Sequence, residues 1–522
     1  MTDDAPHPGD AEQAEVIALL SSTAAHGTGV GEVERCETHG AVVFLAGDHA
    51  YKIKRAVLYA YMDFSTLELR HRACLREIEI NQPHAPQIYL GVVPITRETD
   101  GELAIGGKGT PVEWAVHMRR FATDDVLSAV ADTRGIDALL ARELADVVQD
   151  FHAGAVVAIS ADPRAALGGV VDELVVAFRD APLGFALESV DELEVRCAAQ
   201  LERIAAILAR RAAAGHVRRC HGDLHLGNIV LWRGRPTLFD ALEFDEKLAT
   251  IDTLYDLAFL LMDLDQRGQR AAANVVLNRY LWRSQSLLDL EGLAALPLFL
   301  GLRAAIRAMV LAQRASVENV SGKRAAPTAA TAYFNAALDY LSSVPVRLIA
   351  VGGLSGTGKS TLAAALASGI GPAPGAVHLR SDLERKALFG AAETDRLEAS
   401  CYTQEAGRRV YDTVLRKAKS VLAAGHAVIV DAVFLDQRER GEIELTAQNM
   451  GVPFTGLWLA APEAEMNRRV ADRTGDASDA TPDVVRRQIT LLDEGDGPGS
   501  WSRIDASGTP EATLAAARAA LG

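Results

Sequence analysis

Cysteine is scarce in this chain, and the few that occur are not spaced for a shared task. Five are present in 522 residues, Cys36, Cys74, Cys197, Cys220 and Cys401, with no C-x-x-C spacing among them. That excludes a disulfide framework and leaves a structural zinc without its usual ligand pattern, so reduced thiols in a cytoplasmic protein are the simplest expectation. Long apolar runs are missing too: the densest, Leu254 to Leu264, is broken by Asp256 and Asp263, and no membrane span is expected. The start, Met-Thr-Asp-Asp, has neither the basic residues nor the apolar stretch of a signal peptide. Positive charge is also in deficit, with Lys+Arg 53 against Asp+Glu 69 and a net charge of -16. Such a balance weighs against general attraction to nucleic acid or anionic lipid and favours long-range steering of cations. What is there is an ordinary globular composition, 49% hydrophobic and 23% charged. A chain this long exceeds one compact core, and about two to four folding units are expected.

The most legible stretch is Gly353-Leu354-Ser355-Gly356-Thr357-Gly358-Lys359-Ser360, which fits G-x-x-x-x-G-K-[ST] without a gap. An aliphatic run, Arg347 to Val351, precedes it, and a helix-forming run, Thr361 to Ala367, follows. A strand thus feeds a glycine turn that opens a helix. The glycines Gly353, Gly356 and Gly358, with Ser355 and Thr357 between them, let backbone N–H groups curl around a phosphate at the positive end of that helix. Lys359 is expected to reach the β- and γ-phosphates, Ser360 to ligate Mg²⁺, and Thr361 to complete the nucleotide contacts.

Residues 1–14 are polar, acidic and proline-bearing, and are expected to form a disordered tail. From Val33 the texture becomes short strands, and in the third of them Lys52 and Lys54 are two apart and share a face. Two lysines on a strand face are most often solvated. The next element changes that reading, because Leu67 to Asn81 is helical and carries Glu77, which can present a carboxylate to a strand lysine. Residues 15–118 read as a small lobe ending in the strand Val112 to Met118, whose backbone is expected to face the adenine. Residues 119–341 read as mostly helical packing, with His152 a core or capping histidine.

Within that helical part lies Cys220-His221-Gly222-Asp223-Leu224-His225-Leu226-Gly227-Asn228. A carboxylate and an amide five residues apart on a tight loop can flank one metal-bound phosphate, and Asp240, at the end of the apolar run Thr237-Leu238-Phe239, offers a further oxygen ligand. Here the sequence resembles the aminoglycoside phosphotransferase-like kinases, whose catalytic loop reads H-G-D-x-x-x-x-N. The resemblance covers about Glu32 to Leu341. It implies that Asp223 positions or deprotonates the acceptor hydroxyl, that Asn228 and Asp240 hold Mg²⁺, that His221 braces the loop, and that a small-lobe lysine paired with Glu77 holds phosphates. Lys52 is the expected phosphate lysine because Tyr51-Lys52 closes the strand, with Lys54 as the alternative. The G-x-G-x-x-G loop of protein kinases is lacking, as it is in this family. In the family the region after the metal aspartate lines the acceptor site, so Glu243, Asp252, Asp256, Asp263 and Asp265 are read either as attracting a cationic acceptor or as exposed acids on a helix.

Beyond Pro345 the pattern becomes strand, loop and helix repeated, the signature of a parallel α/β sheet over residues 346–522. Four strands are expected: Arg347 to Val351, Ala376 to Leu379, Ala427 to Val430 and Gly456 to Leu459. Asp382 and Asp431 follow two of them, where such sheets bind ligands. The domain resembles P-loop small-molecule and polynucleotide kinases of the zeta-like type. Ser381-Asp382-Leu383-Glu384-Arg385 matches their Ser-Asp-x-x-Arg segment. The resemblance implies Asp382 as general base, Arg385 as the acceptor-orienting residue, Asp431 acting through Mg²⁺, and Arg473, among Arg468, Arg469 and Arg473, as the arginine of a closing lid.

The expected architecture is therefore an α+β bilobal, protein-kinase-like domain followed by an α/β P-loop kinase domain. Together these resemble bacterial bifunctional fusions of an aminoglycoside phosphotransferase-like domain with an ATP-binding kinase domain. The resemblance implies an ATP- and Mg²⁺-dependent phosphotransferase with a small-molecule hydroxyl acceptor. The sequence leaves open ATP against GTP, the acceptor and the oligomeric state. A 5′-hydroxyl polynucleotide kinase and a nucleotide-sensing, toxin-like regulatory module are the alternatives.

Overall fold

The computed structural model describes residues 13–27, 30–38, 40–59, 62–159, 162–179, 184–318, 327–473, 475–493 and 499–522. Most of the expected N-terminal tail, residues 1–12, lies outside them. Gln13, expected in that tail, is instead buried, and its amide donates to Lys54 O at 2.8 Å and to Glu113 Oε2 at 2.6 Å. The chain forms two compact units, one of Met1–Ile136, Val147–Ala161 and Gly215–Leu260, the other of Asp137–Asp146, Asp162–Ala214 and Leu261–Gly522.

In the first unit, β1 (Glu34–Glu37), β2 (Ala41–Ala46), β3 (His49–Lys54), β4 (Tyr89–Arg97), β5 (Leu103–Ile105) and β6 (Thr110–Arg119) form one sheet in the order β1-β2-β3-β6-β4-β5. Every pairing is antiparallel. Alternation sorts the two faces. On one, Val42, Phe44, Ile53, Ile95 and Ala115 pack with Val16, Ile17 and Leu20 of helix α1 (Ala14–Ser21). The other receives helix α2 (Leu67–Asn81), whose Thr66 N-cap accepts from Leu69 N at 3.3 Å. The buried residues of α2 include Arg70, Glu77 and Asn81 as well as Ala73 and Cys74. A charged inner face is costly unless paired, and Arg70 meets Glu113 at 2.9 Å. The hairpin of β7 (Ile229–Trp232) and β8 (Arg235–Leu238) follows residues 221–228.

The second unit contains a fully parallel five-stranded sheet in the order β10-β11-β9-β12-β13. Its strands are β9 (Leu348–Gly353), β10 (Val377–Arg380), β11 (Val428–Asp431), β12 (Phe454–Ala460) and β13 (Ser502–Asp505). Four were expected. The fifth, β13, buries only Ile504 of its four residues and carries no strand pattern that periodicity could find. Residues of β9 are all buried, as a central parallel strand requires.

The edge strand β10 is covered within the same unit by helix α3 (Arg270–Ser284). Asn278 accepts from His378 N at 2.7 Å through Oδ1, and the side-chain amides of Asn274 and Asn278 donate to Ala376 O at 3.0 and 3.2 Å. Two asparagines thus supply the partners that a neighbouring strand would give. One stretch differs from the expectation of no apolar span: Leu287–Ala315 is long and apolar enough to cross a membrane by length and composition. Most of it is buried in the protein, around Leu298, Phe299, Leu302 and Ala305. Arg303 and Arg307 interrupt the run, which is why an unbroken-run reading passes over it.

Replacing Asn278 by alanine is expected to leave His378 N unsatisfied at the sheet edge and to cost about 1–3 kcal/mol. The shift in the denaturant midpoint of unfolding checks this.

Candidate active sites

The first site is built where β3 and α2 meet the segment after the hairpin. Glu77 is fully buried and takes Lys52 Nζ at 3.0 Å on one oxygen and Lys54 Nζ at 2.5 Å on the other. The lysines then diverge: Lys52 reaches Asp240 Oδ1 at 2.5 Å, and Lys54 pairs with Glu243. The expectation that the strand closes at Lys52 is not met, since β3 runs on to Lys54. What separates the two lysines is their second partner. Burial alone would lower the pKa of Lys52, but Asp240, Glu77 and Glu243 outweigh it and hold the ammonium charged well above its usual range. Burial likewise would raise the pKa of Asp240, and the lysine charges bring it below the usual carboxylate range.

Asp240 sits at φ 59, a left-handed conformation that aspartate tolerates better than most residues, and its N–H donates to Tyr89 Oη at 2.9 Å. Asn228 donates to both the backbone oxygen and Oδ2 of Asp223, at 2.9 and 3.0 Å. His225 accepts from Gly227 N at Nδ1, so its proton lies on Nε2, which faces Asp223 Oδ2 at 3.4 Å. His221 is buried, and Nε2 lies 3.0 Å from Phe239 O. Desolvation lowers its pKa, so the ring is neutral. Oxygen ligands from Asp240 and Asn228 suit a hard divalent cation such as Mg²⁺.

The acids after Asp240 answer to neither expected reading. Asp256 accepts from His221 N at 3.0 Å, Gly222 N at 2.9 Å and His152 Nε2 at 3.0 Å. Asp252 caps Leu254 N at 2.8 Å, Asp263 pairs with Arg267 at 3.0 Å, and Asp265 accepts from Tyr340 Oη at 2.7 Å. They are buried or largely buried and partnered within the protein, because their spacing turns them onto the inner side of the helix Thr253–Gln266 and the short strand Thr250–Asp252 before it. Asp256, which carries the catalytic loop on its two oxygens, had no sequence signal apart from its place in an apolar helix.

The second site lies at the C-terminal ends of β9, β10 and β11. Gly353 and Gly356 have φ 136 and 84, and a Cβ on either would stand 2.5 Å from a backbone oxygen, Leu459 O and Met466 O respectively. The loop is held by Thr357 Oγ1 on Leu354 O at 2.8 Å and by Ser355 N on Gln488 Oε1 at 2.8 Å. Helix α4 (Lys359–Ala367) opens directly from Gly358 and places Ser360 and Thr361 in its first turn. Lys359 Nζ donates to Leu354 O at 3.0 Å. Desolvation lowers its pKa against the opposing charges of Asp431 and Asp382.

The two aspartates are driven apart. For Asp382 burial and the nearby charge of Asp431 raise the pKa, against the opposing pull of Lys359, Arg380 and the Ser478 hydroxyl. Asp431 is buried too, but His378, Lys359 and Arg380 bring its carboxyl below the usual range. Arg385, on helix α5 (Ser381–Leu388), donates to Cys401 O at 2.8 Å and lies over the Tyr402 ring at 4.9 Å. Arg468 and Arg469 pair with Glu465 of their own helix, α6 (Glu463–Ala471), whereas Arg473 reaches Asp476 at 3.2 Å. Lys386 and Tyr402 both bind Asp479, at 2.7 and 2.5 Å, an anchor that the sequence did not suggest.

Residues 105–296 match the phosphotransferase enzyme family, and residues 348–494 match an AAA domain family. Over 487 residues the chain is 31% identical to uncharacterised proteins of Mycobacterium tuberculosis and Mycobacterium bovis, covering 92% of this chain and 93% of theirs. The chain belongs to their family, a fusion of a phosphotransferase domain with a P-loop kinase domain. Among solved structures, a choline/ethanolamine kinase family protein from Mesorhizobium loti is 15% identical over 63% of this chain and 99% of its own, with a TM-score of 0.39. A gluconokinase from Sinorhizobium meliloti is 20% identical over 34% of this chain and 91% of its own, with a TM-score of 0.26. The fusion is a phosphotransferase, with nucleotide-using kinase families in both parts.

In this fusion Lys54→Met is expected to strand Glu243 and half of Glu77 inside the protein and to cost about 3–5 kcal/mol. Lys52→Met leaves Asp240, with its side chain 40% exposed, open to water, and should destabilise less. Thermal unfolding of the two variants side by side tests the order.

Proposed function

We propose that the fusion is an ATP- and Mg²⁺-dependent O-phosphotransferase with two separate sites, each acting on a small hydroxylated metabolite. Sugars, amino sugars and aminoglycoside-like compounds are the acceptor classes proposed for the first unit. The observation that carries this reading is a repeated set of groups beside two unrelated sheets: a lysine beside a carboxylate held ionised, with a second carboxylate nearby. In the first unit these are Lys52, Asp240 and Asp223; in the second, Lys359, Asp431 and Asp382.

In each site the lysine would bind phosphate oxygens and the second carboxylate would orient the acceptor hydroxyl and take its proton. Bound Mg²⁺ would neutralise charge on the phosphates, held through Asn228 and Asp240 in one site and through Ser360 and Asp431 in the other. His221 would act by bracing the loop, and Arg385 by orienting the acceptor. Five cysteines that form no disulfide support a reducing, cytoplasmic setting.

Transfer of labelled γ-phosphate from ATP to a panel of sugars, amino sugars, aminoglycosides, nucleosides and 5′-hydroxyl RNA tests the proposal. Asp223→Asn should abolish one product and Lys359→Ala another. ATP hydrolysis with no labelled acceptor would defeat it in favour of a regulatory role.

The opposed aspartates set a pH dependence. Since the pKa of Asp382 is raised, its base form is lost as pH falls, beginning above the ordinary aspartate value of about 3.9. The kcat/KM of the second site should therefore fall on the acid side. Asp431→Asn removes the neighbouring negative charge and should move that limb to lower pH.

A further inference from the structure

Arg380, the last residue of β10, has its side chain only 12% exposed and was not among the residues expected to act. Its Nη2 donates to Asp476 Oδ1 at 2.9 Å, while Nε stands 4.0 Å from Asp431 Oδ2 and has no hydrogen-bond partner. The other oxygen of the same carboxylate, Asp476 Oδ2, meets Arg473 Nε at 3.2 Å. One carboxylate therefore spans two guanidiniums, one fixed to the sheet and one on the segment after α6. Both arginines act on the charge of Lys359.

Two guanidiniums beside an ammonium at the mouth of a phosphate loop form a donor set larger than one carboxylate uses. Arg380 Nε in particular is a buried donor left over, which is unfavourable until an acceptor reaches it. A tetrahedral, oxygen-rich dianion can take up that donor as well as the two that Asp476 now occupies. We infer that Arg380 and Arg473 form a clamp for the transferring γ-phosphoryl group, and that Asp476 is an internal anion occupying the clamp until nucleotide displaces it.

The inference rests on the proposed reading of the second site as a working kinase. During transfer the acceptor oxygen forms its bond to the γ-phosphorus, and the bond from that phosphorus to the bridging oxygen breaks. The acceptor's proton goes to Asp382, and ADP leaves with the bonding pair. The clamp holds the non-bridging oxygens throughout.

Calorimetric titration of the full chain with ADP and with the β,γ-imido analogue of ATP tests this, the second-site isotherm being the one that Lys359→Ala removes. Asp476→Asn should tighten the analogue on the order of tenfold and leave ADP unchanged. Arg380→Gln should lower analogue affinity to that of ADP and reduce second-site turnover about a thousandfold, with Arg380→Lys recovering part of both. The clamp is refuted if Arg380→Gln weakens ADP and the analogue equally, or if Asp476→Asn tightens neither. If Lys359→Ala removes no isotherm, the kinase reading of this site fails, and the clamp with it.

Discussion

The constraint behind both sites is the cost of keeping charge away from water. An ionised carboxylate inside a protein persists only beside cations and donors. Glu77 meets this by sharing two lysines, and each lysine is then satisfied by a further acid, Asp240 or Glu243. Strand β3, helix α2 and the segment after β8 are thereby tied together by charges that none of them could bury alone. The positioning of Lys52 and Asp240 and the stability of the unit depend on the same contacts.

The catalytic loop of the first unit shows a second answer to the same cost. Asp256 accepts two backbone N–H groups of the loop and the ring of His152, so a loop that exposes its own polar backbone is satisfied from below. His221 is neutral and packed, in keeping with a bracing part, and Asp223 remains half-exposed at the surface of the loop. The acids that follow Asp240 are structural partners as well, Asp252 of a backbone N–H, Asp263 of Arg267 and Asp265 of Tyr340.

In the second unit the balance is tipped differently for each aspartate. Lys359 and Arg380 pull on both, but Asp431 has the His378 hydrogen bond besides, whereas for Asp382 burial and the negative charge of Asp431 prevail. Two like groups at the ends of neighbouring strands are thus set to opposite protonation tendencies by their surroundings, the separation that the proposed metal-binding and base roles require. The segment from Asp476 to Asp479 touches Arg380, Asp382 through Ser478, and Lys386, so it lies along the same helix start that carries Asp382.

Some of this could be read from the chain without coordinates. Gly353 to Ser360 and His221 to Asn228 are local devices, in which spacing alone fixes what a turn can bind, and the strands and helices around them follow from short-range periodicity. Lys52 and Lys54, two apart on one face of β3, were legible as a pair; which of them faces Asp240 was not, because that depends on a partner 188 residues away. The same holds for Asp256 beneath the loop, for Arg380 and Asp476 across the phosphate site, and for Asn278 against the edge of β10. Sequence determined the elements and the chemistry of each motif. Tertiary structure alone decided which charges share a buried space, because desolvation and pairing depend on what the whole fold brings within a few ångströms.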